Sequence, residues 1–149
     1  MQVAIRGILA IIILGLGYFL YISITEPYEA VERQKELTQM TRDRMSHIRT
    51  AMTMYEREND RFLTTLDSLV LYIKSDSVLS IPANADSIFG IPGFSADSLL
   101  VSPRTGNPFA LTVNDTSDVK IYLLEDPDSD DYIGSTEPVV TRLNAASWE

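Results

Sequence analysis

The run Gly7–Ile24, GILAIIILGLGYFLYISI, constrains this chain more than any other feature. It is eighteen residues long and carries no charge. A stretch of that length and apolarity matches the hydrocarbon core of a bilayer when helical. Tyr18 and Tyr21 fall toward its C-terminal end, where amphipathic rings favour the membrane–water interface. A cleaved signal peptide is the rival reading. The run exceeds the usual signal h-region, and no small-residue cleavage site follows it at Ser23-Ile24-Thr25-Glu26-Pro27. The expectation is a retained transmembrane anchor over residues 1–25 whose first partner is the lipid bilayer.

Charge divides the rest. Arg6 is the one charged side chain in residues 1–25, and residues 26–61 mix eight acids with seven bases. Residues 62–149 hold thirteen acids against Lys74, Arg104, Lys120 and Arg142. The net charge of −9 therefore belongs to the C-terminal part, and nucleic acid is excluded as a partner for lack of a concentrated basic face. Without cysteine, disulfides and thiolate sites are excluded as well. Arg6 before the apolar run, against Glu26, Glu29 and Glu32 after it, orients the anchor N-in and C-out. In a diderm bacterium the anchor then lies in the inner membrane and the C-terminal head in the periplasm.

Residues 26–61 read as a stalk helix. From Tyr28 to Asn59 there is neither Gly nor Pro. Thr38, Thr41, Met45, Ile48, Met52 and Tyr55 recur at alternating spacings of three and four. The stripe is polar in its first half and apolar in its second. Met45, Ile48, Met52 and Tyr55 are thus candidate interaction residues, with two readings. They face the chain's own core, or they form a surface for self-assembly. Asn59-Asp60 is the expected stop.

The remaining residues 62–149 read as an acidic α+β head. Thr64–Ile73 is a short helix with a threonine N-cap, its Leu66, Leu69, Val70 and Ile73 on one face. Residues 80–96 are turn-rich. Three strands are expected at Leu99–Ser102, Phe109–Val113 and Val119–Leu124, the last two joined by Asn114-Asp115-Thr116-Ser117. An antiparallel sheet against the Met45–Tyr55 face completes the head. The tail Val139–Glu149 has no assigned element, and Trp148 either docks into a partner or caps the head.

The chemistry is concentrated in Glu125–Glu137. Asp126, Asp128 and Asp130 occupy positions 1, 3 and 5 of an EF-hand-like loop, Tyr132 supplies a carbonyl at 7, and Glu137 falls at 12. The pattern reads either as a Ca²⁺ site or as a solvated acidic turn. Asp131 stands where an EF-hand needs glycine, and a strand precedes the loop. No enzyme is expected. There is no Walker A or G-x-S-x-G, the one Gly-x-Gly lies inside the apolar run, and His47 reads as a surface partner of Asp43.

Taken in order, these parts resemble the type IV pilin superfamily, nearest the major pseudopilins of type II secretion. Tyr55-Glu-Arg-Glu-Asn59-Asp60-Arg61-Phe62 is similar to the family's Y-x3-N-G-x-[YF]-P. Pro103-x-Thr105-Gly106-Asn107-Pro108-Phe109 is similar to the turn that opens its hairpin. The apolar helix, Pro27 and the amphipathic continuation resemble the pilin spine. Asp60 and Leu63 replace the family's Gly and Pro, and Ile12 stands where the family has a glutamate that guides registration in the filament. The resemblance implies an N-terminal transmembrane helix continuing into a long amphipathic helix packed on a small antiparallel sheet. It implies a structural role, pilin-like or other membrane subunits as partners (copies of the chain among them), and Ca²⁺ in a late acidic loop. Ile12 points to a permanent anchor, hence to a second reading as a single-pass accessory subunit of a larger membrane complex, its head a docking or Ca²⁺-binding module.

Overall fold

The computed structural model describes residues 2–115, 119–138 and 142–149. The order of elements is α1 (Gln2–Asn59), α2 (Leu66–Ser75), α3 (Pro82–Phe89), a 3₁₀ turn (Ala96–Leu100), then β1 (Ala110–Asn114), β2 (Ile121–Glu125) and β3 (Tyr132–Gly134). The fold is α+β: one long N-terminal helix and a small antiparallel sheet. Two compact units divide it, Met1–Leu37 and Thr38–Glu149.

The first unit is helical over its described residues, 2–37, and most of its described apolar side chains are exposed, Ile11 at 72%. Part of α1 is long and apolar enough to cross a membrane.

The second unit takes in the C-terminal part of the expected stalk together with the head. Thr41, Met45, Ile48 and Met52 are fully buried, each at 0% exposure. The stalk stripe is therefore internal from Thr41 to Met52, in line with the core-facing one of its two readings. Met45, Ile48 and Met52 face this chain's own core, because α2, α3 and the sheet supply the apolar partners. Tyr55 is half-buried, its ring edge-on to Tyr72 at 5.0 Å. Burying a side chain of this size contributes about 1.5–3 kcal/mol, which explains why the stripe is spent internally.

Helix α1 ends where Asp60 turns left-handed at φ +54°, its N–H donating to the Glu56 carbonyl at 2.7 Å. Thr65 caps α2 by accepting from the Ser68 N–H at 3.2 Å, and Leu66, Leu69, Val70 and Ile73 form its buried face. Helix α3 lies in the stretch read as turns. Pro82 at its start and Gly90 at φ +70° beyond its end are the usual helix punctuation.

The sheet runs β1-β2-β3, antiparallel throughout. Leu111 opposes Leu124, which opposes Ile133, and Val113 opposes Tyr122. These residues turn one face to the core. Two strand expectations are corrected. Leu99–Ser102 is not a strand, because Ala96–Leu100 winds into a 3₁₀ turn and Val101 makes one isolated bridge to Pro108. The third strand is Tyr132–Gly134, inside the expected ion-binding loop. In the expected hairpin loop Thr116 and Ser117 lie outside the described residues, as do Val139, Val140 and Thr141 of the tail.

Candidate functional site: an arginine-clamped acidic loop

The acidic loop between β2 and β3 meets the Pro103–Phe109 turn. The turn closes on itself first. The Ser102 N–H donates to the Asn107 carbonyl at 2.7 Å, and the Gly106 N–H donates to the Ser102 carbonyl at 2.9 Å. Gly106 takes φ +79°, a left-handed conformation that glycine adopts without a Cβ clash. This closure aims Arg104, Thr105 and Asn107 at the loop.

Asp128 receives two of them. The Thr105 hydroxyl donates to one carboxylate oxygen, and Asn107 Nδ2 donates to the other at 3.0 Å. These bonds, Thr105 first, hold the Asp128 carboxyl below its ordinary range because they favour its charged form. Arg104 passes between Asp126 and Asp131. Its guanidinium lies 3.5 Å from Asp126 and 3.6 Å from Asp131.

From α1, Arg42 completes the clamp. Its Nε and Nη2 each donate to Asp131 at 2.9 Å, a planar fork on a carboxylate. The Asp131 hydrogen bond pushes the Arg42 guanidinium further up. Within the loop, the Asp126 N–H donates to the Asp131 carbonyl at 3.0 Å and the Ser129 hydroxyl to Asp126 Oδ2 at 2.6 Å. Asp126 itself is 4% exposed. Two guanidinium charges thus offset the repulsion among clustered carboxylates in a region of reduced dielectric.

The five expected Ca²⁺ ligands are not brought together. Asp126 is engaged by Arg104 and Ser129, and Asp128 by the turn. Asp130 is exposed. The Tyr132 carbonyl lies in β3, where it accepts from the Ser147 N–H at 2.9 Å. Glu137 is exposed and lines a separate depression of about 300 Å³ with Glu125 and Arg142. Among the described residues no three His, Asp or Glu side chains group as cation ligands. Ca²⁺ needs six to eight converging oxygens, and one buried carboxylate oxygen, Asp126 Oδ1, is without a partner here. As placed, Arg104 engages Asp126 while Thr105 and Asn107 engage Asp128, so a calcium shell here would have to displace those partners.

Arg42 and Arg104 are the residues that sequence reasoning missed. The signal for Arg104 was its position inside the turn motif, in a segment with four bases. Arg42 lies 89 residues from its partner, and no local pattern announces such a pair. His47 is also corrected. It is half-buried, with ring edges toward Phe89 at 5.7 Å and Phe94 at 6.3 Å. Desolvation lowers its pKa, opposed by Asp43 and the Phe89 carbonyl.

What the clamp does is mechanical: it ties α1, the turn and the loop into one charged junction. Comparison with protein-family models, curated proteins and solved structures finds no match to the chain.

Proposed function

We propose that this protein is a pilin-like, membrane-anchored structural subunit of a bacterial envelope assembly, without catalysis of its own. The apolar part of α1 lies in the inner membrane, and the α+β unit stands outside the cytoplasm. The observation that carries this reading is α1 itself. It starts as a membrane-length apolar helix and ends as the core helix of an α+β unit. Two local features support the resemblance. Asp60 is left-handed at the position where the similar family motif has glycine, and the Thr105-Gly106-Asn107 turn opens directly onto β1.

The test is disulfide crosslinking in membranes with cysteines at the exposed positions Glu32 and Met40. A self-assembling stalk gives a ladder of crosslinked species. A uniformly monomeric product overturns the self-assembly reading. Ile12, in place of the registration glutamate, supports the second reading as an accessory subunit. Native mass spectrometry of the protein extracted from membranes separates the two: stoichiometric foreign subunits support the accessory role, copies of the chain alone the pilin-like one.

A further inference from the structure

A cavity of about 300 Å³ lies within the Thr38–Glu149 unit, between one face of α1 and the loop that follows α3. Met40, Asp43, Arg44 and His47 form the helix wall, spaced by three and four so that they share a face. Ile91 and Phe94 line the loop wall. Small-molecule sites run from about 300 to 1,000 Å³ and combine apolar walls with a few fixed polar groups.

The loop wall is held in place from behind. The Asp86 carboxylate accepts from the Gly93 N–H at 3.0 Å and from the Phe94 N–H at 2.9 Å. Those two bonds keep its carboxyl below the ordinary range. The Phe94 ring stacks on Phe89 with centres 4.0 Å apart, which fixes the apolar side of the cavity.

The helix wall carries two opposite charges that do not pair. Successive residues on a helix do not face each other, and each of these has its own tether. Arg44 Nη1 donates to the Val101 carbonyl at 2.7 Å, and Asp43 accepts from Gln39 Nε2 at 2.8 Å. A carbonyl satisfies a donor but supplies no counter-charge. Among the described residues no carboxylate makes an ion pair with Arg44. Burial accordingly pushes the Arg44 guanidinium below its ordinary value, because it has given up water without gaining an anion.

We propose that this cavity binds a free α-amino acid with an apolar side chain, its carboxylate on Arg44, its ammonium on Asp43 and its side chain against Met40, Ile91 and Phe94. A zwitterion brings both missing charges in one molecule and leaves the cavity's charge balance unchanged. A simple anion meets Asp43 as a like charge, and a simple cation meets Arg44 in the same way. A purely apolar ligand strips the remaining water from Arg44 and returns nothing for it. This inference stands whether or not the chain is a pilin-like subunit.

Titration calorimetry on the full chain in detergent tests it, with L-leucine, L-methionine and L-phenylalanine as probes. At least one should bind saturably. The N-acetyl derivative of the tightest probe lacks the ammonium, and its amide lacks the carboxylate. Each derivative should bind about tenfold more weakly, the effect of one charged hydrogen bond. Asp43→Asn changes an exposed residue and should weaken the amino acid about tenfold while leaving its N-acetyl derivative unchanged. Arg44→Gln, in protein whose near-ultraviolet circular dichroism is retained, should weaken the amino acid and leave its amide unchanged. Absence of saturable heat from all of the probes overturns the site. Undiminished binding of the amide assigns the cavity to a chain N-terminus, and undiminished binding of the N-acetyl derivative assigns it to simple carboxylates. Either result overturns the zwitterion, as does an Asp43→Asn variant that binds like the unaltered protein.

Discussion

Two stretches of α1 have the same backbone and opposite surroundings. Between Gly7 and Ile24 every large apolar side chain but Ile22 is exposed, whereas Met45, Ile48 and Met52 in the same helix are fully buried. The difference is one of spacing. The first stretch is apolar all round, which suits a solvent that is itself apolar. The second is apolar on one stripe, which suits a protein core. The helix runs through Gly15 and Gly17 in the first stretch and meets neither Gly nor Pro in the second, and its continuity says nothing about what each stretch is solvated by.

The sharpest way to break that comparison is to strike the second unit alone. Arg104→Met leaves the Asp126 carboxylate buried without its counter-charge and should destabilise the Thr38–Glu149 unit by about 3–5 kcal/mol. Denaturant unfolding followed by near-ultraviolet circular dichroism measures this, and membrane insertion should not change. Next, Ile48→Ala opens a cavity in the core and should cost about 2–5 kcal/mol in the same experiment. Ile12→Ala, on the same helix, should alter unfolding stability by less than about 0.5 kcal/mol. A large effect of Ile12→Ala would show that the two stretches share a solvent after all.

The reciprocal experiment charges the first stretch. Leu14→Arg should disfavour insertion by about 2.5–3.5 kcal/mol, read as the fraction of chain extracted by carbonate. Unfolding of the second unit should be unaffected.

Acid should sort the two stretches again, by a smaller amount. Asp128 and Glu149 are held below their ordinary ranges, by Thr105 and by Arg49 respectively. Their stabilisation is complete above the unfolded carboxyl range and is lost as pH falls through the lowered folded values. His47 is shifted down by burial, so the folded state takes up its proton less readily than the unfolded one. Its contribution is complete above the ordinary imidazole range, about 6.5, and declines as pH falls below it. Thermal melts should therefore fall first below about pH 6.5 and again below about pH 4, and His47→Gln should remove the first step alone. The smallest effect is expected of Asp60→Gly. It relieves a left-handed residue but gives up the exposed Lys120 ion pair at 2.7 Å, for a net change within about 1 kcal/mol.

Helices were the most legible part of the sequence. The Met45–Met52 stripe, the Thr65 cap and the Leu66–Ile73 face are local patterns, each readable within a turn or two. Helix α3 was readable too, had Pro82 and Gly90 been taken as its ends instead of as turn residues. The third strand was not. Tyr132-Ile133-Gly134 is too short to show alternation, and its partners are β2 on one side and Ala145–Ser147 on the other. The acidic loop was legible as a cluster but not as a clamp. Spaced acids specify that some positive charge must approach, and only tertiary structure decides that Arg42 and Arg104 supply it.

Arg42 faces Asp131 and the ring of Trp148 at once, and Trp148 is the chain's single tryptophan. The protein's indole emission is therefore a one-site signal. Release of the Asn144–Glu149 segment moves that ring from a half-buried seat beside a cation into water, so a red shift and a gain in iodide quenching report undocking without any added label.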